Sequence, residues 1–317
     1  MKLYIIAGEA SGDLHGSNLI KALKAQRSDV RCRVWGGDMM QAAGGELVKH
    51  YRDLAFMGFV EVLKNLRTIF RNIAFCKRDI RQFQPDALVL IDYPGFNLRI
   101  AKWARQQGLK VIYYISPQIW AWHASRVHDI KRDVDKMLVI LPFEEDFYKK
   151  YGVEAEFVGH PLLDAIGQHH IPNLQSPIPD LIVLLPGSRR QEVQRILPRM
   201  LEVTKDFPGY QFIVAGATSL PVEFYRPYLE KYPQVRWSQG QTYDLLGQAK
   251  AALVKSGTST LETALLDVPE VVCYAGSPIS YHIAKRLINV KYISLVNLIM
   301  DRMLVRELIQ DELNREN

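Results

Sequence analysis

Cysteine is scarce in this 317-residue chain. Cys32, Cys76 and Cys273 are odd in number and far apart, so they offer neither a disulfide framework nor a metal-ligand spacing. That pattern points to a reducing compartment. Long apolar runs are missing too. None approaches the roughly 20 residues that span a bilayer, and the first apolar stretch ends at Glu9, too short for a signal peptide. The expectation is a cytosolic chain or one lying on a membrane surface. Charge of one sign is also lacking: 40 Lys+Arg against 34 Asp+Glu leave a net +6. That excess suits an anionic ligand or an anionic membrane but does not argue for nucleic acid. There is no internal repeat and no low-complexity tract.

Short apolar runs alternating with helical patterns are what the chain does have. Strands are expected at 3–7, 31–35, 87–91, 110–115 and 136–141, then at 181–185, 211–215, 251–254 and 270–274. Such alternation means parallel sheets with crossover helices. A stretch at 169–180 with Pro172, Pro177 and Pro179 reads as a linker. The expected fold class is α/β, with two doubly wound Rossmann-like domains, 1–170 and 180–317, facing each other across a cleft.

The loop Gly8-Glu9-Ala10-Ser11-Gly12-Asp13 follows the first strand and precedes a helix expected at 14–25. Open α/β sheets bind ligands at that edge. The loop is neither Gly-x-Gly-x-x-Gly nor a Walker A loop, and an ordinary turn capped by Asp13 is an equal reading. In the second half, Gly187, Ser188 and Arg189 follow a strand, where Arg189 can grip a phosphate with a planar fork. Ser256, Gly257 and Thr258 repeat the arrangement at a helix start, with Glu262 one turn on to accept from a ribose. Each alone is also a plain capped turn; the pair suggests a nucleoside diphosphate.

Asp92 ends the apolar strand 87–91 and is a candidate general base, or a loop-stapling carboxylate. Trp120, Trp122 and Gln118 can wall a sugar or acyl group, or pack in a core. His160 is a substrate contact or a satisfied loop histidine. The segment 56–71 reads as an amphipathic helix with more apolar surface than one core stripe needs: Met57, Phe59, Val60, Leu63 and Phe70 are interspersed with Arg67 and Arg71. It suits an anionic membrane interface or an acyl chain, or is a packed helix with a solvated basic face.

These segments together resemble the lipid-A-disaccharide synthase family, inverting glycosyltransferases of the GT-B fold. The resemblance rests on 8–13, Met57-Gly58, Ile91-Asp92 with Pro94, Phe96 and Asn97, Ser116-Pro117 and Trp120-Ala121-Trp122. It extends through Leu141-Pro142-Phe143-Glu144, Gly159-His160, 185–189, Ser256-Gly257-Thr258, Leu261-Glu262, 284–287 and 292–298. It implies transfer of 2,3-diacylglucosamine from UDP-2,3-diacylglucosamine to 2,3-diacylglucosamine 1-phosphate (lipid X), giving the β-1,6 disaccharide 1-phosphate and UDP. No metal and no other cofactor is implied.

By the resemblance, Asp92 deprotonates the acceptor hydroxyl and Arg189 stabilises the departing diphosphate. Gly187, Ser188, Ser256, Gly257 and Thr258 hold phosphate, and Glu262 the ribose. Glu9, Ser11, Asp13 and Asn297 line the acceptor side. The basic apolar segment takes acyl chains at the inner face of the inner membrane, as in a cytoplasmic, peripherally bound enzyme. Departures are Gly95, where the family often has a second acid, and Val296, where proline is common. The family pattern also leads one to expect further C-terminal helices beyond Asn317, which in some members build a homodimer. The competing readings are another GT-B enzyme acting on UDP-GlcNAc and an inactive UDP-sugar-binding remnant.

Overall fold

The computed structural model describes residues 1–53, 66–169, 178–277, 281 and 290–317. Its contacts divide it into two units, Met1–Pro161 and Leu162–Asn317. Met57, Phe59, Val60, Leu63 and most of the expected linker lie outside the described residues. The helix Leu162–Gln168 groups with the second unit.

The first unit holds seven strands: β1 (Lys2–Ala7), β2 (Arg31–Gly36), β3 (Glu46–His50), β4 (Ala87–Ile91), β5 (Lys110–Tyr114), β6 (Lys136–Val139) and β7 (Ala155–Phe157). All pairings are parallel, in the order β3-β2-β1-β4-β5-β6-β7. The sheet is buried on both faces because crossover helices cover both. Tyr4, Ile6, Leu88 and Leu90 enter one core with Ile73, Cys76, Ile80 and Ile100. Their strand neighbours Leu3, Ile5, Val89 and Ile91 enter the other with Ile20 and Met40. The helix Leu66–Phe83 is tied to the sheet through a buried carboxylate. Asp79 accepts from the Tyr4 hydroxyl at 2.7 Å and from the Arg33 guanidinium at 2.8 and 2.9 Å.

The second unit repeats the plan. Strands β8 (Leu181–Leu185), β9 (Gln211–Gly216), β10 (Val235–Gln239), β11 (Ala251–Lys255), β12 (Glu270–Tyr274) and β13 (Arg306–Ile309) form an all-parallel sheet ordered β10-β9-β8-β11-β12-β13. Leu184, Phe212 and Val214 face the helix residues Val193, Ile196 and Met200. On the opposite face Val183, Leu185, Ile213 and Val254 pack with Leu245 and Leu246. Both sheets reverse strand order beside their first strand, between β1 and β4 and between β8 and β11, which is where doubly wound sheets open a crevice.

Several boundaries differ from expectation. The strand expected at 110–115 stops at Tyr114 because Ile115 has φ 66°. The one expected at 136–141 stops at Val139, since Leu141 and Pro142 already begin the helix Pro142–Lys149. The first helix runs Ala10–Gln26, so Ser11, Gly12 and Asp13 belong to its first turn rather than to a loop, and Asp13 is not its cap.

Candidate active site

In the first unit the two loops at the order reversal are those after β1 and β4. Asp92 and Tyr93 both hold left-handed backbone, with φ 43° and 50°. For non-glycine residues this conformation persists only when neighbours over-determine it. Here the Asp92 carbonyl accepts from Asn97 Nδ2 at 2.8 Å and from the Tyr113 hydroxyl at 2.5 Å, and its N–H donates to Ile115 O at 3.2 Å. Asn97 is fully buried and also donates to Ile91 O at 3.2 Å. The backbone is thus fastened on both sides. Burial, and then the nearby Glu9 carboxylate, push the Asp92 carboxyl up to about 6. Glu9 is half-buried at the N-cap of the first helix, and Ser11 is exposed.

Gly8 is required for packing. A Cβ there would fall onto the Tyr93 ring, so the loop after β1 seats the loop after β4.

Asp13 serves the fold. It is 3% exposed, and its carboxylate accepts from the backbone N–H groups of Gly37 at 2.7 Å, Met39 at 3.1 Å and Met40 at 3.0 Å. It thereby caps the helix Asp38–Ala42 and leaves no carboxylate surface for an acceptor. The motif residue Glu144 is similar: it accepts from Ile140 N, Leu141 N and Trp120 Nε1 at 3.0–3.2 Å, and burial raises it to about 7. Trp120 packs edge-on to Phe143 and is so committed to the fold; the Trp122 side chain lies outside the described residues. His15 and His160 are near enough to act on each other. Burial first, and His15 in the case of His160, lower each to about 4. His15 is 6% exposed, and its Nδ1 has no hydrogen-bond partner among the described residues.

In the second unit the loops after β8 and β11 stand side by side, Leu185 pairing with Val254. Gly187 has φ 110°, Ser188 and Arg189 are exposed, and Arg189 caps the helix Arg190–Val203. Glu192, on the first turn, accepts from Ser188 N at 3.2 Å and Arg189 N at 3.3 Å. Its other oxygen meets Lys255 Nζ at 2.8 Å.

After β11, Ser256 Oγ donates to Ile293 O at 2.8 Å and Thr260 Oγ1 to Gly257 O at 2.8 Å, so these hydroxyls brace the loop. Thr258 is exposed at the start of the helix Thr258–Leu265, where the Thr260 N–H already donates to Gly257 O at 3.2 Å, and a helix start is where N–H groups are left for an anion. Glu262 is half-buried and accepts from the Tyr243 hydroxyl at 2.8 Å. Asn297 lies on the short helix Leu295–Met300, which packs on the helix Thr258–Leu265, but its amide does not bond to the loops. Fully buried, it donates to Val305 O and Glu307 Oε1 and accepts from Leu304 N and Val305 N, all within 2.9 Å. Its amide staples the turn before β13 and has no capacity left for an acceptor.

No group of three metal-ligating side chains occurs among the described residues. One Asp-x-Asp triplet does occur, Asp133-Val134-Asp135, with both carboxylates engaged. Asp133 pairs with Arg132, and Asp135 with Arg105 and the Val111 N–H. Sequence reasoning missed Asn97, Tyr113 and Tyr243 as supports and Lys255 and Glu192 as a pair. A lysine directly before Ser-Gly-Thr, at the end of an apolar run, was the available signal.

On the basic helix, Arg67, Phe70 and Arg71 are exposed together, Phe70 by 60%, while Ile69, Ile73, Cys76 and Ile80 pack inward. No described helix is long and apolar enough to cross a membrane.

Residues 3–317 match the family model for lipid-A-disaccharide synthetase. A lipid-A-disaccharide synthase of Geobacter metallireducens is 43% identical, over 99% of this chain and 85% of the relative. One of Coxiella burnetii is 39% identical, over 97% and 84%. Among solved structures, a Methanocaldococcus jannaschii UDP-GlcNAc 2-epimerase in complex with UDP-GlcNAc and UDP has a TM-score of 0.66 at 13% identity, covering 100% of this chain and 90% of that one. MurG of Acinetobacter baumannii gives 0.58 at 13%, covering 99% and 87%. These likenesses establish the GT-B fold. The sequence matches go further: the chain belongs to the lipid-A-disaccharide synthase family of glycosyltransferases, enzymes of lipid A biosynthesis.

Proposed function

We propose that the chain transfers 2,3-diacylglucosamine from UDP-2,3-diacylglucosamine to the 6-hydroxyl of lipid X. The reading rests chiefly on Asp92, a carboxylate at the tip of a central strand, on fastened left-handed backbone, with its proton affinity raised to about 6. A base serves best when its pKa lies near the working pH. The acceptor proton passes to Asp92 as the hydroxyl oxygen bonds to the donor's anomeric carbon. The bond from that carbon to the diphosphate oxygen breaks with its electron pair, and UDP leaves. One displacement inverts the anomeric centre to β. Arg189, exposed at the tip of β8, meets the negative charge that grows on the leaving diphosphate. Gly187, Gly257 and Thr258 hold the phosphates by backbone, Ser188 by its exposed hydroxyl, Ser256 braces that loop, and Glu262 with Tyr243 meets the ribose.

Glu9 and Ser11 face the acceptor. Arg67, Phe70 and Arg71 lie on an anionic membrane at the inner face, where both lipid substrates reside.

The test is incubation of the chain with UDP-2,3-diacylglucosamine and radiolabelled lipid X. Labelled disaccharide and UDP in equal amounts support the reading. UDP release without lipid X, or equal use of UDP-GlcNAc lacking acyl chains, overturns it. UDP binding without turnover would mark an inactive UDP-sugar-binding protein.

A further inference from the structure

We infer that Lys255 is a diphosphate-binding residue of the donor site and that Glu192 is its resident counter-ion, which gives the lysine up when a nucleoside diphosphate binds. The inference rests on the donor reading above and adds a residue to it.

Lys255 is the last residue of β11 and Glu192 lies in the first turn of the helix after β8, so their contact bridges the two loops of the crevice. Lys255 Nζ and Glu192 Oε1 are 2.8 Å apart, and the two side chains are only 20% and 18% exposed. Both glycines of the expected phosphate loops abut the pair. A Cβ at Gly187 would come within 2.7 Å of Glu192 Oε2, and one at Gly257 within 3.7 Å of Lys255 Nζ.

The Glu192 carboxylate collects the N–H groups of Ser188 and Arg189, the Lys255 ammonium, and at 3.8 Å the Arg189 guanidinium. The ammonium and the guanidinium are the donors that a doubly charged phosphoryl group can claim from this carboxylate, while the two amides stay with the helix cap. Glu192 supplies one negative charge in its place. A half-buried ammonium needs a partner anion. With a diphosphate between the two glycines, Lys255 reaches a phosphate oxygen by rotating about its own side chain, which keeps three donors on a flexible stem. Glu192 retains its two N–H partners, so the helix cap survives the exchange. The remaining Glu192 charge opposes the incoming diphosphate, so the two residues act on affinity with opposite sign.

The experiment measures UDP and uridine binding to the full chain and to Lys255→Met, Lys255→Gln, Lys255→Arg and Glu192→Gln, with a melting curve for each. The expected result is about tenfold weaker UDP binding for Lys255→Met and Lys255→Gln, as for loss of one charge-assisted hydrogen bond. Lys255→Arg should stay within about threefold of the parent. Glu192→Gln, whose amide oxygen still caps, should bind UDP about threefold more tightly. Uridine binding, which has no phosphate to report on, should hold steady throughout.

Unchanged UDP binding in folded Lys255→Met or Lys255→Gln overturns the inference. So does a shared loss of UDP and uridine binding in both the lysine and the glutamate variants, which would mark the pair as a structural strut. A parent chain that binds no UDP at all refutes the donor reading itself and is distinguished from both outcomes.

Discussion

The Glu9 carboxylate, at the end of β1, raises the proton affinity of Asp92, at the end of the neighbouring β4. Two acids thus share the tip of the first sheet, with burial as the larger influence on Asp92. The proposed base must be deprotonated to work, so kcat/KM should fall as the pH drops below about 6. Glu9→Gln removes a negative neighbour and should move that acid limb to lower pH. A pH profile of both forms checks this; a limb moving upward would refute it.

Asp92→Asn keeps a residue that tolerates left-handed backbone and removes the proposed base. Turnover should fall by about 10²- to 10⁴-fold, with UDP binding within about twofold of the parent. Loss of both together would make Asp92 structural.

Asp13→Ala strands the Gly37 and Met40 N–H groups that the carboxylate now receives in a buried setting. The expected loss is about 3 kcal/mol of stability, read by denaturant unfolding, with UDP binding unchanged. A stable variant with a raised KM for lipid X would instead return Asp13 to the acceptor site.

His15 and His160 have folded values near 4, below the ordinary 6.5. Their neutral forms are favoured by folding, so their contribution is present above about 6.5 and is lost as pH falls toward 4. The melting temperature of the first unit should drop across that interval, and less in a His15→Gln variant. A flat melting temperature across that interval would contradict the assignment.

Glu270 carries the reverse sign. It is 8% exposed, neither carboxyl oxygen has a hydrogen-bond partner among the described residues, and burial raises it from 4.5 to about 8. Its contribution to stability is fully present below 4.5 and lost as pH rises through 8. Glu270→Leu should raise the melting temperature by several degrees at about pH 8.5 and by less at about pH 5. Equal gains at the two pH values would sink this account.

Strands buried on both faces were the legible part of the fold. β1, β4 and β8 are unbroken apolar runs, and the structure returns them nearly residue for residue. Edge strands carried no such signal: β3 reads Glu-Leu-Val-Lys-His and β7 has only three residues, with two exposed. In the proposed site, the positions of Asp92 and of the two glycine loops at strand tips were legible because such tips are visible as places where apolar runs stop. Asp13 and Asn297 were legible as unusual polar residues but not as what they do. Their partners are backbone N–H groups and, for Asn297, a carbonyl and a carboxylate as well, 7–27 positions away, which only the folded chain brings to them. Glu192 reads as an ordinary first-turn acid until Lys255 is placed against it.

Gly8 and Tyr93 occupy one volume between them, the ring filling the space a side chain at position 8 would need. Heredity must therefore treat the two codons as a pair. Gly8→Ala would lift the tyrosine and carry Asp92 off its perch, and the readiest revertants would be small residues at position 93 rather than changes near the nucleotide. A screen for second-site suppressors would read this coupling directly, as a map of which neighbours Asp92 depends on for its position.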